Sequence, residues 1–356
     1  MAKIFDRILP LLSKYGYVIS QKNVLCGPCG RLLLDNIQDE WNKSFLLSPE
    51  VFPFQHNGIS NMDNLVKVTE ENLEGGAHLW DVFLAAREIQ VPNCVVVQDM
   101  SAAVKHMIDT TSPFGFISWA QHRSSTPGTK SCDAESQLFA SLAYPMYWTS
   151  LQFAYCVPSS KLLYWFNDWQ RRRLLWWKRL SSKPSAFSVT KADQASISIQ
   201  YEFPWGNNAV EHIRTFEWRG SQSWIVCNTS INIGAALFLW DALRSDNGRL
   251  VLAFHPKLTP YKATVTTTSA SLRPLAQLVN IELRKGRVMT YVNPFPDFPL
   301  DVQITQFDEM GIYYTIILNE TTHKTGVACI RHRDTAIKEQ VHVTDVGKKL
   351  SLYLPS

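Results

Sequence analysis

The chain has 356 residues, a formal net charge of +4 at pH 7 and 46% apolar residues. That length allows two domains with a large core. The charge permits contact with a polyanion without demanding it, and no apolar run reaches the length of a membrane span.

Met1 to Tyr15 reads as an amphipathic helix, with Ile4, Phe5, Ile8, Leu11 and Leu12 opposite Lys3, Arg7 and Lys14. Asp6 speaks against a targeting peptide. The segment is therefore expected to be the first helix of the fold, any transit peptide being very short or absent. Tyr17 to Ser20 reads as a strand, Gly27-Pro28-Cys29-Gly30 as a turn and Arg31 to Phe45 as a helix. From about 55 to 110 the pattern is that of an insertion, with short helices at Leu79 to Glu88 and Ser101 to Ile108. Strands are expected at Phe114 to Ala120, Met146 to Tyr155, Ser196 to Phe203 and Ser223 to Thr229, with Lys183 to Gln194 as a loop.

Among these strands lies the most distinctive stretch, Trp165 to Leu180, with four tryptophans, five cations and one acid in sixteen residues. On a helix, Leu162, Trp165, Phe166, Trp169, Trp176, Trp177 and Leu180 share one arc, and Asn167, Asp168, Arg171, Lys178 and Arg179 share the other. The apolar arc is core. The basic face is either solvated or meets phosphates through charge alone, since tryptophans turned inward cannot stack on bases. Arg173 points into the apolar arc and must either find a buried partner or face something outside the chain.

After Asp246-Asn247-Gly248, read as a linker, the pattern changes. Val251 to Val265 is extended, Ser271 to Lys285 and Pro299 to Glu309 are helical, and Arg287 to Val292 is a strand. Ile312 to Leu318 and Val327 to Arg331 are strands joined by a turn at Gly326. Gln340 to Val343 is a further strand, and Thr344 caps a last helix reaching Tyr353. The expected architecture is α+β: an antiparallel-sheet core over 1–245 with the insertion at about 55–110, followed over 246–356 by an α/β domain with a mixed five-stranded sheet.

Few residues point to chemistry. The seven cysteines, Cys26, Cys29, Cys94, Cys132, Cys156, Cys227 and Cys329, are odd in number and scattered. This is the pattern of reduced, buried thiols and not of a disulfide framework. Cys26-Gly27-Pro28-Cys29 matches a thiol–disulfide motif in letters, but the elements around it do not follow the βαβ order such a site needs. Without a second pair it is a weak zinc signal, and His323 and His332 stand alone. There is no Gly-rich phosphate loop and no nucleophilic triad, so no cofactor, metal or catalytic residue is expected.

Several segments carry a resemblance. Gly27 to Gly30 followed by a helix with Trp41 resembles the first conserved segment of class II aminoacyl-tRNA synthetases. Tyr201-Glu202-Phe203-Pro204-Trp205-Gly206 resembles the glycyl-tRNA synthetase branch. Phe254 to Lys262 and Gly326 to Val341 resemble the two ends of that branch's anticodon-binding domain. Measured against that family, Arg123 lacks its expected Arg-x-Glu context. Ile233 stands where a helix-opening arginine belongs, and of the acids after the turn only Glu211 remains. Such a site is not expected to make an aminoacyl adenylate.

Trp169 to Arg179, Tyr201 to Gly206, and Phe307 to Gly311 through Arg333 to Glu339 resemble a non-catalytic family on this scaffold: the accessory subunit of mitochondrial DNA polymerase gamma, in a shorter, insect-type form. The resemblance implies a processivity subunit of the mitochondrial matrix, associated with the nucleoid. It would bind the catalytic, family A polymerase through the anticodon-binding-like domain and strengthen its grip on primer–template DNA without reading sequence. The candidate DNA contacts are Arg171, Arg172, Lys178, Arg179 and Lys183, and the candidate polymerase contacts are Arg331, Arg333, Lys338 and the last helix, with an ion pair between Arg333 and Asp334 inside the domain as the alternative for Arg333. Helical insertions pair vertebrate members into dimers. The region at 55–110 shows two short helical patterns in their place, so a monomer in a one-to-one complex is expected. The alternative is a degenerate glycyl-tRNA synthetase paralogue that binds tRNA or another RNA. If Trp176 is core, Trp176→Ala destabilises the fold by roughly 3–5 kcal/mol, measured by urea unfolding.

Overall fold

The computed structural model describes residues 2–19, 27–61, 113–123, 139, 141–143, 145, 147–218, 221–246 and 248–354. The helices expected at 79–88 and 101–108, and Cys26, Cys94 and Cys132, lie outside the described residues. The first sheet has seven strands: β1 (Val51–Asn61), β2 (Phe114–Arg123), β3 (Tyr147–Pro158), β4 (Phe187–Lys191), β5 (Ser196–Phe203), β6 (Gly206–Trp218) and β7 (Gln222–Ser230). Their order is β1-β2-β3-β7-β6-β5-β4, and every neighbouring pair is antiparallel except β1 with β2. Strand β1 thus takes the opening residues of the expected insertion into the sheet. Strand β4 occupies part of the expected loop. It is a short edge strand that buries only Phe187, which leaves its alternation too weak to see.

Helices α1 (Ala2–Lys14), α2 (Pro28–Leu46), α3 (Leu162–Leu180) and α4 (Ile231–Asp241) belong to this part of the chain. The expected turn at Gly27 to Gly30 is instead the start of α2, with Gly27 as N-cap and Pro28 as its first residue. Proline fits there because its missing N–H would have had no helical partner. A Cβ on Gly27 would lie 2.2 Å from the Gly16 carbonyl oxygen, so only glycine allows this approach. Burial pushes the Cys29 thiol up to about 12, which makes it inert.

The seven-stranded sheet packs α3 and α4 through Leu151, Phe153, Tyr155, Ile197, Ile199, Tyr201, Ile213, Ile225 and Cys227. Helix α3 sends Phe166, Trp169, Trp176, Trp177 and Leu180 inward. Arg173 goes with them and is 1% exposed. Its Nε donates to Glu211 Oε1 at 2.8 Å and its Nη1 to Ser44 Oγ at 2.8 Å. The second carboxylate oxygen of Glu211 accepts the Trp177 indole N–H at 2.5 Å. The guanidinium lies 4.6 Å from the ring centres of Phe45 and Trp176. One buried ion pair therefore joins α2, α3 and β6.

The second sheet consists of β10 (Ala263–Thr267), β11 (Thr290–Tyr291), β12 (Tyr314–Leu318), β13 (Val327–His332) and β14 (Lys338–His342), in the order β11-β10-β12-β13-β14. It is mixed: β11, β10 and β12 are parallel, and β12, β13 and β14 antiparallel. Helices α5 (Arg273–Lys285) and α8 (Val346–Tyr353) cover one side through Ala276, Val279, Leu283, Val346 and Leu350. Before β13 a short helix, α7 (Glu320–Thr325), replaces the expected turn. Gly326 is its left-handed cap at φ 71°.

Helix α6 (Leu300–Met310) belongs to both halves. Its Phe307 and Met310 join Leu250, Leu252, Phe254 and Leu258 in the apolar cluster of the first sheet. The expected linker falls between β8 (Leu243–Asp246) and β9 (Arg249–Leu252), which pair antiparallel with Asp246 opposite Arg249. Polar bonds stitch the joint. Tyr17 Oη donates to the Met310 carbonyl at 2.8 Å, Asn36 Nδ2 to the Leu258 and Thr259 carbonyls, and Arg249 to Thr305.

Two outcomes are expected in urea unfolding. Arg173→Met leaves Glu211 unpaired and costs about 3–5 kcal/mol, whereas Arg173→Met with Glu211→Leu recovers most of it. Gly311→Ala costs about 2–3 kcal/mol, because Gly311 sits at φ 88° and an added Cβ would meet the Leu252 carbonyl oxygen at 2.7 Å.

Candidate functional site

The cations proposed from sequence separate into three groups. Arg171 and Arg172 are exposed at the middle of α3 but share one carboxylate, Asp168, at 3.2 and 2.6 Å. Arg172 also lies over the Trp169 ring at 5.0 Å. Lys178 and Arg179 lie in the last turn of the helix and Lys183 three residues beyond it, and among the described residues none of them has a carboxylate within ion-pair distance. Lys183 lines a cavity of about 430 Å³ where the two halves meet, with Ser181, Ser182, Arg244, His255 and Asp334. Arg179 lies close enough to His255 to help hold its imidazole below the usual range, although burial is the larger cause. The helix C-terminus adds partial negative charge here, which favours a basic last turn. The outer face is also less uniformly polar than the sequence suggests, since Leu163, Tyr164 and Leu175 are exposed on it.

Arg331 and Arg333, expected at a partner interface, are turned inward. Arg331 makes two parallel bonds to Asp308, at 2.8 and 2.9 Å, and so ties β13 to α6. Arg333 donates to the carbonyls of Leu252, Phe254 and Gly311 and to Asp334, with its guanidinium over Tyr313 at 4.9 Å. All five donors of Arg333 are used inside the chain, and the Nη1–Nη2 fork of Arg331 is taken by Asp308, so neither offers a free fork to a partner. Lys338 differs: it is exposed on β14, an edge strand of the second sheet. The last helix turns Val346 and Leu350 inward and leaves Leu352 out.

The residues read against the synthetase pattern have structural places of their own. Glu211 is on the helix-facing side of the sheet, bonded to Arg173 and Trp177, with no exposure. Ile233 is 1% exposed inside α4, beside Gly234, where an added Cβ would meet Ile37 at 3.4 Å and Trp177 at 3.7 Å. The opposite side of the sheet carries Phe116, Gln152, Ala154, His212, Arg214, Trp224, Val226 and Asn228 at matched register positions. Burial pushes the His212 imidazole down to about 4, so that ring is neutral at pH 7. Among the described residues no cluster of His, Cys, Asp and Glu could hold a metal ion, and no helix is long and apolar enough to cross a membrane.

Known proteins match this geometry. Residues 262–351 match the family model described as anticodon binding domain. The chain is 29% identical over 231 residues to DNA polymerase subunit gamma-2, mitochondrial, of Xenopus laevis, covering 53% of this chain and 50% of that one. It is 31% identical over 130 residues to glycine–tRNA ligase of Lysinibacillus sphaericus, covering 33% of this chain and 26% of the ligase. Prolyl-tRNA synthetase from Cryptosporidium parvum has a similar fold, with a TM-score of 0.65 at 10% identity over 99% of this chain and 77% of that one. The chain spans about half the length of the gamma-2 relative it matches. The resemblance to accessory subunits of mitochondrial DNA polymerase gamma, read above from the residues alone, is thus met by sequence relatives of that name, on a class II synthetase-like fold that ends in an anticodon-binding domain.

Proposed function

We propose that the chain is a non-catalytic accessory subunit of the mitochondrial DNA polymerase. It binds the catalytic, family A chain through the anticodon-binding-like domain and strengthens the complex's hold on primer–template DNA. The observation that carries this reading is the likeness to gamma-2 subunits across about half the chain. The site chemistry supports it. A synthetase stabilises the charge of adenylate formation with fixed cations and holds the amino group with acids. Here the helix that would supply an arginine has the buried Ile233, and Glu211 is consumed by Arg173.

Processivity needs no reaction centre. It rises when the complex leaves DNA more slowly, and additional phosphate contacts achieve that without reading bases. Lys178, Arg179 and Lys183 support this role because no carboxylate pairs with them among the described residues, whereas Arg171 and Arg172 would have to give up Asp168 to reach a phosphate. Lys338 and the last helix remain the surface candidates for polymerase contact. The working assembly is one accessory chain per polymerase, in the mitochondrial matrix at the nucleoid.

The test is the length of product made per binding event by the cognate catalytic polymerase, with and without this chain, across a salt series. Lengthened product is expected, and no change at any salt concentration overturns the reading. Replacing Lys178, Arg179 and Lys183 with Gln lowers the slope of log affinity against log salt for primer–template DNA by about 2–3, whereas Arg171→Gln with Arg172→Gln moves it less. Glycine-dependent ATP–pyrophosphate exchange by the pure chain, or a preference for tRNA over primer–template DNA at matched salt, would instead favour a synthetase descendant acting on RNA.

A further inference from the structure

The segment from Val292 to Pro299, between β11 and α6, has the sequence Asn293-Pro294-Phe295-Pro296-Asp297-Phe298-Pro299 in its centre and end. Phe295 is 56% exposed and Phe298 44%, with their rings stacked on each other at 5.5 Å and 15°. Met289, Val292 and Val302 are exposed as well. Apolar surface left in water forgoes the stabilisation that burial would supply. The loop is nonetheless held firmly in this form.

Three prolines restrict its backbone. Asn293 accepts from the Phe295 N–H at 3.0 Å and donates to the Phe295 carbonyl at 3.2 Å. Gln303, 1% exposed, donates to the carbonyls of Pro296 and Phe298 at 3.2 and 2.6 Å. Its own carbonyl oxygen accepts from Asn293 and from Thr266 of β10, at 2.7 and 2.6 Å. Arg273 of α5 pairs with Asp297. A buried glutamine with its bonding capacity largely committed to one loop fixes the loop's shape, and the shape displays two phenyl rings.

From this we infer that Phe295 and Phe298 are the aromatic anchor of a protein–protein interface, seated in an apolar pocket of the catalytic polymerase chain. The identity of the occupant rests on the function proposed above. Rigid aromatic groups that need no ordering on binding are what interface hot spots are made of. The loop leaves the carboxyl end of a parallel strand, the edge at which open α/β sheets present their ligands. The rim carries both signs, with Arg273 paired to Asp297, and Arg287 and Asp301 also exposed, so it does not resemble a polyanion groove. Each ring has one face against the other ring, which leaves little for bases to stack on. Five exposed apolar side chains fall well short of the ~800 Å² per partner of a stable symmetric dimer, so the patch suits an anchor inside a larger, heterologous contact.

The experiment compares wild type, Phe295→Ala with Phe298→Ala, Pro296→Gly, and Leu278→Ala on the exposed side of α5, in binding to the cognate catalytic polymerase subunit. The double variant is expected to keep the wild-type melting temperature and to bind at least about 30-fold more weakly. Pro296→Gly keeps both rings but loosens the loop, and loses several-fold in affinity, while Leu278→Ala binds as wild type. Unchanged polymerase binding by the double variant overturns the proposal and leaves the accessory-subunit reading standing. So does a loss confined to single-stranded DNA binding, or to self-association of this chain. Absence of polymerase binding by wild type overturns both.

Discussion

The Arg173–Glu211 pair is the constraint around which the first domain is arranged. Two ions taken out of water are tolerable only if every remaining lone pair and proton nearby is used well. Ser44, the Trp177 indole and the ring faces of Phe45 and Trp176 meet most of that demand, while Arg173 Nη2 is left without a hydrogen-bond partner. The pair therefore dictates which way α2 and α3 must turn against β6. It also decides the fate of the one acid left from a synthetase-like pocket. Glu211 cannot serve a ligand's ammonium while it neutralises a buried guanidinium.

The same economy appears at the joint between the halves. Arg331 and Arg333 both work inside: the Arg333–Asp334 pair is the alternative that the sequence offered, and the Arg331–Asp308 pair is one it did not. Of the cations proposed for DNA, the three with no carboxylate partner among the described residues lie at or just past the end of α3, and Lys183 lines the cavity between the halves. Polymerase and DNA contact thus draw on different parts of the chain in the reading proposed here: rigid apolar and edge-strand features on the anticodon-binding-like domain, and unpaired cations where it meets the synthetase-like sheet.

How much of this could be read from the residues depended on whether local pattern or tertiary context decided the outcome. Helix α3 was legible because its apolar stripe has helical spacing, and Arg173 stood out by interrupting that stripe, but its partner Glu211 emerges only from the fold. Strands β5 and β7 were legible because they are rich in β-branched and apolar residues. Helix α4 was not, because it is apolar all round and shows no period to detect. Asp246-Asn247-Gly248 has the composition of both a linker and a hairpin tip, and only the pairing of Asp246 with Arg249 separates them. The burial of Arg331 depends on Asp308, far away in sequence, so no local signal could reveal it. Phe295 and Phe298 did carry a signal, the alternation of proline with phenylalanine, which periodicity for helices and strands passes over.

The three carbonyls held by Arg333 belong to β9, to the segment leaving it and to the turn after α6. Together with the apolar cluster that α6 shares with the first sheet, they make the junction stiff where a tether might have stood. A pull on the anticodon-binding-like domain is carried through short bonds into β9, Tyr17 and α2, and through the shared apolar cluster to the first sheet. In mechanical terms the molecule is a bracket: a load taken up at one arm is felt at the other with no slack between them.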